Sequence, residues 1–520
     1  MPPKHGERER ERGKTGGTPK RERGDGPRDR ERGGRDRDSG HRARSGSRLD
    51  DTSHSRRAPS KERERQPSKD KERPRMITFR TGFRNTIYQV LLQRGWKETD
   101  SNTDFDFNWA GVEWVREHYD HLHMKEHQRI NHFRNHYELT RKDNLEKNIK
   151  QMRRLMTKEG IHNIDLGFTP GTYTLPVEYS LFTEEYRRVN EASAPGETVT
   201  WIMKPIGSAQ GKGIFLFHKL SDVAHWRKAK KQTTPSREDE PEDQVHTYVC
   251  QRYLDRPFLV GQKKFDLRLY ALVTSYNPLK VYVNRSGFCR FTFQRYSHDI
   301  DNIDDTGMHL TNVAIQKKED DYDPSELGSK WGLDELRQYM NTRYSRPSVD
   351  QCYALINQLI VRSLQSVARV AIQDKHCFEL YGFDVLIDED LKPWLIEVNA
   401  SPSLTSDTAS DDRLKKTMLH DMLTILDMDG ILGDTTPTQV GSWDLVYEQT
   451  QPIQYSAGHF QTADRRMAAP QRKKIIERVI NGGWINKNTS YLGCFSDRAR
   501  SLGDLQRQRE RDRAAADSDK

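Results

Sequence analysis

The sequence predicts an α/β protein with charged, disordered ends, and two observations carry that expectation. Between residues 76 and 430, apolar runs at helical spacing interleave with β-branched and aromatic runs that alternate as strands do. Residues 1–75, by contrast, contain no Phe, Trp or Tyr and a single Leu, Leu49. That segment holds 25 Lys+Arg against 15 Asp+Glu, a net charge of +10. The other 445 residues carry 61 basic and 62 acidic side chains, so the formal +9 of the chain belongs to its first 75 residues. A segment with almost no apolar surface to bury cannot offset its ordering entropy, and 1–75 reads as a disordered tail of mixed charge. No apolar stretch approaches the ~18–20 residues of a membrane span, and MPPKHGERER offers no signal-peptide core. Five scattered cysteines without a CxxC read as reduced thiols of an intracellular protein.

The elements follow in order. Phe83, Ile87, Val90 and Leu91 recur at helical spacing ahead of the breaker Gly95, and Phe105, Phe107 and Trp109 alternate with Asp106 and Asn108 as a strand. A basic helix spans 144–156 with Leu145, Ile149, Met152, Leu155 and Met156 on one side. The Pro- and Gly-punctuated FTPGTYTLPVEY leads to a short helix near 179–188, closing a first α/β unit at 76–195. Strands dominate 196–300: TVTWIMKPI, GIFLFHKL, VHTYVCQRYL and KKFDLRLYALVTS, interrupted by a polar, mobile insert at 230–244. Within 301–430 a long helix covers 347–372, and FELYGFDVLI pairs with KPWLIEVNA as a hairpin. Apolar density falls beyond Asp429, and 431–520 reads as a partly disordered extension.

The hairpin carries the strongest chemical signal. Glu397 and Asn399 are two residues apart and share one strand face. A four-residue turn at 389–392 would set Asp388 opposite Pro393 and therefore Asp384 opposite Glu397. Asp384, Glu397 and Asn399 would then offer oxygen ligands without His or Cys, a donor set suited to Mg²⁺. The bland alternative is a hairpin with solvated polar residues, but here an acid and an amide interrupt a run of Trp394, Leu395, Ile396 and Val398.

Three other segments add to it. In WIMKPIGSAQGKGIFLF a strand bearing Lys204 enters a small-residue loop, Gly207–Gly213, whose backbone N–H groups suit phosphates. The pattern is neither a Walker loop nor a kinase GxGxxG, and by itself it is equally a turn. In GQKKFDLRLYALV, Lys264, Asp266 and Arg268 share one face of an apolar strand, which is costly to bury without anionic partners. An edge strand with solvated charges is the competing reading. MHLTNVAIQK places Thr311 and Asn312 at the head of an apolar segment.

Taken in order, HFRNHYELTRKDNLEKNIK, WIMKP…QGKGIFLF, QRYL, KFDLRLY, HLTNVA and YGFDVLIDEDLKPWLIEVNASPSL make the chain resemble the tubulin–tyrosine-ligase-like family over about residues 77–430. Within that family it is most similar to the polyglutamylase branch. The resemblance implies an ATP-grasp fold, in which central (196–300) and C-terminal (301–430) subdomains enclose ATP between antiparallel sheets. It implies that Lys204 contacts ATP phosphates, that Gln210, Gly211, Lys212, Gly213 and Ile214 cover them, and that Gln251, Arg252, Tyr253 and Leu254 face the adenine. Lys264 and Asp266 would complete the nucleotide site, with Thr311 and Asn312 lining it. Arg268 would meet the incoming glutamate or the reacting phosphate, Lys330 would contact the glutamate carboxylate, and Asp384, Glu397 and Asn399 would hold Mg²⁺. Lys204 and Arg268 are the residues expected to act in catalysis. The family's usual proline in the HFPN-type segment is Arg134 here, and 1–75 has no counterpart in the shared pattern.

The implied activity is ATP-dependent ligation of glutamate to γ-carboxylates of glutamates in acidic tubulin tails, through an acyl phosphate. The expected partners are tubulin or microtubules, free L-glutamate and accessory subunits, with no membrane and no nucleic acid. The expected setting is cytoplasm and cytoskeleton: the axoneme of a cilium or flagellum and the basal body. Alternatives are another amino acid (glycine or tyrosine), an acceptor other than tubulin, or a microtubule-binding protein without ligase activity. The dense histidines from His118 to His136 include the i, i+4 pair His123 and His127, but lack a nearby Cys or an HExxH, so zinc is not assigned. A protein kinase would need HRD-like and DFG motifs, which the sequence lacks.

Overall fold

Three sheets organise the chain, and the sequence texture of each explains its place. The first is parallel, in the order β2-β1-β3-β4, from β1 (Thr78–Thr81), β2 (Lys97–Glu98), β3 (Phe107–Trp109) and β4 (Arg129–Ile130). Helix α1 (Thr86–Gln93) follows β1, and Asn85 caps it by accepting from Ile87 N at 3.3 Å. Ile87, Val90 and Leu91 face inward, whereas Phe83 precedes the cap and stays exposed, outside the helical series expected of it. The alternation around β3 predicted a half-solvated strand, yet Asp106 and Asn108 are buried too. A parallel strand is covered on both faces, and the Asp106 carboxylate is satisfied there by Thr78 N at 2.7 Å and Thr78 Oγ1 at 2.9 Å.

The second sheet is antiparallel, in the order β5-β8-β6-β7, from β5 (Thr172–Leu175), β6 (Trp201–Pro205), β7 (Phe215–Phe217) and β8 (Tyr248–Arg252). Strand alternation divides its faces. Trp201, Met203, Tyr248 and Cys250 pack with Phe182 of the helix Tyr179–Ala192, leaving Ile202, Lys204 and Gln251 for the opposite face.

The third sheet is the largest: nine strands, whose spine is β9 (Phe265–Tyr276). Strand β10 (Leu279–Asn284) and β11 (Phe288–Phe291) pair antiparallel along one side of β9, and β13 (Glu379–Ile387) along the other. Beyond them lie β12 (Lys330–Gly332), β14 (Pro393–Asn399), β15 (Gln439–Val440), β16 (Trp443–Gln449) and β17 (Gly483–Ile485). Strands from both sides of residue 300 therefore share one sheet, and segments beyond 430 complete it.

The odd residues of β9 (Leu267, Leu269, Ala271, Val273) join Tyr381, Phe383 and Val385 of β13 in one core. The long helix Arg346–Ala368 seals it with Ile356, Leu359, Ile360 and Leu364, capped by Ser345 and opened by Pro347. The even residues change partner along the strand. Tyr270 and Leu272 pack under the helix Ala409–Ile425 and the parallel sheet, but Asp266 looks into a cleft and Arg268 turns to Asp384 beside it.

The structure describes residues 76–494 except 163, 195–196, 208–210, 224–246, 298, 300–301, 317–329, 407, 431, 434, 454–468 and 486–491. The tail 1–75, the insert 230–244, Gln210 and the charged last twenty residues thus lie outside the described residues. The described residues belong to one compact unit.

Candidate active site

The hairpin that carries the expected oxygen ligands has Asp384 opposite Glu397, and Gly382 opposite Asn399, as the sequence suggested. It reaches that register by another route. The turn is one residue longer than expected, so Ile387 rather than Asp388 faces Pro393, and the register then shifts between Asp384 and Val385. The extra residue is Ile396, a bulge that puts Ile396 and Glu397 consecutively on the cleft side. Asp388 is left to organise the turn, accepting from Asp390 N, Lys392 N and Trp394 Nε1 at 3.0, 2.9 and 2.8 Å.

Two carboxylates directly opposite each other repel, and the surroundings show how this pair is held. Arg268, across the ladder from Asp384, donates Nε and Nη2 to Asp384 Oδ1 and Oδ2 at 2.6 and 3.0 Å. Arg290 of β11 contacts the same carboxylate at 2.8 Å and grips Asp266, its register partner, with Nε at 2.8 Å and with Nη2. Burial would raise the Asp384 pKa, but the two guanidiniums hold it well below the usual carboxylate range. Glu397, only partly buried, meets Lys142 Nζ at 3.2 Å, and Asn399 Nδ2 lies 3.3 Å from Glu397 and 3.5 Å from Asp384. The three predicted ligands are thus together. Two carboxylates and an amide that can turn its oxygen inward fit a hard divalent cation.

The buried strand with three charges is central, not an edge, and the anionic partners it requires are Asp266 and Asp384 for the two arginines. The lysines are different. Lys204 Nζ donates to Gln251 Oε1 at 2.7 Å, and Lys264 Nζ to the Tyr253 hydroxyl at 2.8 Å, lying 4.2 Å from that ring's centre. Both are buried, and neither has an ion pair among the described residues. Burial pushes the Lys204 pKa down to about 8, opposed by Glu397 and reinforced by Lys142. Burial, then repulsion from Lys204, pushes that of Lys264 down to about 7.

These groups line one cleft with about 850 Å³ of empty space. Of the expected residues, Lys204, Gly211, Ile214, Gln251, Arg252, Tyr253, Leu254, Lys264, Asp266, Thr311, Asn312, Asp384 and Glu397 line it. Lys212, Gly213, Arg268, Asn399 and Lys330 do not. Arg268 and Asn399 sit behind the lining, engaged with Asp384. Lys330 of β12 lies directly opposite Arg290 of β11, one strand farther out, where it meets Asp411 at 3.3 Å. Gly211, at φ +77°, approaches Ile315 so closely that a Cβ would stand 2.4 Å from Ile315 Cδ1.

Among the lining residues that sequence reasoning missed, three carry titratable side chains: Lys142, Arg290 and His309. Arg290 had a signal, a charge inside the apolar FCRF. His309 was hidden in MHLTN; its Nδ1 lies 2.9 Å from the Tyr253 hydroxyl. Lys142 begins the helix Lys142–Lys158, and only the tertiary fold carries it to Glu397. The histidine cluster disperses: His127 pairs with Asp106 at 3.1 Å and His132 with Glu379 at 2.9 Å.

Comparison with known proteins places the chain in a family. The profile of the tubulin-tyrosine ligase family matches residues 120–437. A protein of Bos taurus named probable tubulin polyglutamylase TTLL9 is 42% identical over 454 residues, 82% of this chain and 92% of that one. Probable tubulin polyglutamylase ttll-9 of Caenorhabditis elegans is 44% identical, over 75% of this chain and 89% of its own. Probable alpha-tubulin polyglutamylase Ttll1 of Tetrahymena thermophila is 43% identical, over 69% and 89%. With a family match over more than half its length and relatives that align over most of theirs, the chain belongs to the tubulin-tyrosine ligase family.

Proposed function

We propose that this chain is a tubulin polyglutamylase, an ATP-dependent ligase that joins the amine of free glutamate to a γ-carboxylate in an acidic tubulin tail. The relatives' names support the substrate, and one observation supports the chemistry. Lys204 and Lys264 are buried together in the cleft and neither forms an ion pair among the described residues, which is costly unless a polyanion completes the site. A triphosphate supplies that charge. In this reading the small sheet β5–β8 and the large sheet clasp the nucleotide in the ATP-grasp manner. Ile202, Leu386 and Ile396 wall the base beside Gln251–Leu254, and Gly211 and Ile214 cover the phosphates. Thr311 and Asn312 close the other side.

Asp384, Glu397 and Asn399 would hold Mg²⁺, which when bound neutralises and orients phosphate oxygens. The reaction itself then needs little covalent help from the protein. The acceptor γ-carboxylate oxygen attacks the terminal phosphorus, the bond to ADP breaks, and an acyl phosphate forms. The glutamate amine attacks the acyl carbon, the C–O bond to phosphate breaks, and the amine loses its proton. Every reactant is anionic, so fixed positive charge from Lys142, Lys204 and Lys264 stabilises both transition states. Arg268 uses Nε and Nη2 on Asp384 from behind the lining, so only its Nη1 would be left for substrate, with Lys330 as the outlying contact for the glutamate carboxylate.

Mass spectrometry of tubulin tails after incubation with ATP and glutamate, glycine or tyrosine tests this reading. Glutamate alone should add mass to the tails. Addition of glycine or tyrosine instead, or of nothing by a chain that binds ATP, would overturn it.

A further inference from the structure

A second cavity lies on the same face of the large sheet as the cleft, at the far end of β9. It encloses about 710 Å³ of empty space, and its lining includes Arg129, Thr274, Lys280, Lys375, Thr435 and Thr436. Asp266, Arg268, Tyr270, Leu272 and Thr274 alternate onto one face, so Thr274 stands six residues from Arg268, about 20 Å at ~3.3 Å per residue. Between the two sites that face is filled by the core around Tyr270, Leu272, Met418 and Met422, which makes the cavity separate from the cleft.

Three cations and one carboxylate line it, and two of the cations are paired with carboxylates outside the lining. Lys280 meets Glu448 at 2.8 Å and Thr436 Oγ1 at 3.2 Å, and Lys375 pairs with Glu126. Arg129 differs: its Nη1 donates only to the backbone carbonyls of Glu126 and Gln128, at 2.7 and 2.9 Å, and no ion pair joins it among the described residues. Burial pushes its pKa below the ordinary arginine value, with Glu126 opposing, so the charge is held at a desolvation cost. The one carboxylate in the lining, Asp427, already accepts from the backbone of Leu432 at 2.6 Å and Gly433 at 2.8 Å. A half-buried guanidinium, two lysines and three hydroxyls around a roomy polar cavity suit a ligand with several carboxylates.

We infer that this cavity docks a glutamate-rich stretch of polypeptide, the acidic acceptor tail or the glutamate chain already built on it. The inference rests on the polyglutamylase reading for the identity of the acid. A segment held there remains tethered near the cleft, by a path longer than the straight ~20 Å because the chain must pass around the core between the two sites. Such tethering raises the local concentration of acceptor without any new contact at the reacting atoms. It therefore acts on KM rather than kcat.

The test titrates a fluorescent deca-glutamate peptide onto the full chain without nucleotide. Two variants are compared with the parent: Arg129→Ala, and Thr436→Glu, which sets a carboxylate beside Lys280 on an exposed segment. Each should weaken the peptide about tenfold, the worth of one charge-assisted hydrogen bond. Each should also raise KM for an acidic acceptor by a similar factor while kcat and nucleotide affinity stay within about twofold. Unchanged peptide binding and KM in a folded Thr436→Glu chain would overturn the proposal. So would equal displacement of the peptide by an oligonucleotide, which would make the cavity a general polyanion surface. A chain that binds the peptide through this cavity but transfers no glutamate supports the docking site and removes the ligase reading alone.

Discussion

Arg268 and Asp384 face each other across adjacent strands, joined by two hydrogen bonds of 2.6 and 3.0 Å. Through Arg290 the pair extends to Asp266, so that two buried carboxylates and two buried guanidiniums form a neutral block under the cleft. Neutrality is what lets these charges be buried, and it leaves the attraction for anions to Lys142, Lys204 and Lys264. Removing one member unbalances the block. Asp384→Asn leaves Arg268 and Arg290 with Asp266 alone, and stability should fall by about 3–5 kcal/mol, the usual cost of breaking a buried pair. Urea unfolding measures it, and a loss below ~1 kcal/mol would show that the block is not held by charge balance.

Glu397 separates folding from function. It is partly exposed and meets Lys142 and Asn399, so Glu397→Gln should leave unfolding within ~0.5 kcal/mol of the parent. Yet it removes one of two carboxylates proposed for the cation. Ligation should drop by about 10²–10³-fold, some 3–4 kcal/mol of transition-state stabilisation. A Glu397→Gln chain of near-normal turnover would dismiss the metal assignment.

The two lysines give a pH dependence whose sign is fixed by their direction. Both titrate below the ordinary lysine value, at about 8 for Lys204 and about 7 for Lys264, because burial disfavours the charged form. Between roughly pH 7 and 10.5 the unfolded chain therefore binds more protons than the native one, and the unliganded protein should gain stability as pH rises through that window. Nucleotide acts oppositely. A triphosphate draws both lysines back toward the charged form, so binding takes up protons above pH 7 and weakens as pH rises. Calorimetry of ATP-analogue binding at pH 8.5 in two buffers of different ionisation enthalpy should show net uptake. No proton uptake, with flat affinity from pH 6.5 to 9, would mean that these lysines do not face the phosphates.

The parts of this site that were legible in the sequence obey strand alternation. Lys264, Asp266 and Arg268 share a face because β9 is regular, and Glu397 with Asn399 because they are two apart. The pairing of Asp384 with Glu397 was also foreseen, but through a turn one residue too short; the Ile396 bulge restores the count. No local pattern distinguishes a bulge at Ile396 from a shorter turn, since both place the same residues together. Lys142 was illegible for a different reason. It reaches Glu397 from a helix more than 250 positions earlier, and helical periodicity reports which side is apolar, not which residue at the helix start meets a distant strand. The strands beyond 430 were likewise obscured, because low apolar density over 431–520 averages over short strands that the large sheet already buries.

Gly211 offers a steric test of the loop over the cleft. Its φ of +77° lies where an L side chain costs roughly 1–2 kcal/mol, and the Cβ of an alanine would stand 2.4 Å from Ile315 Cδ1 and 3.3 Å from Asn312 Oδ1. Relief requires the loop to lift away from the segment bearing Thr311 and Asn312, which opens the cleft where the phosphates are proposed to lie. Gly211→Ala should therefore raise KM for ATP about tenfold, while global stability falls by no more than ~1–2 kcal/mol. The two causes of strain separate in a double variant. Ile315→Ala removes the Cδ1 contact but not the backbone cost, so Gly211→Ala/Ile315→Ala should recover part of the lost affinity. Full recovery would assign the whole effect to the clash, and no recovery to the backbone. A Gly211→Ala chain with unchanged KM would show that the loop does not close over the nucleotide.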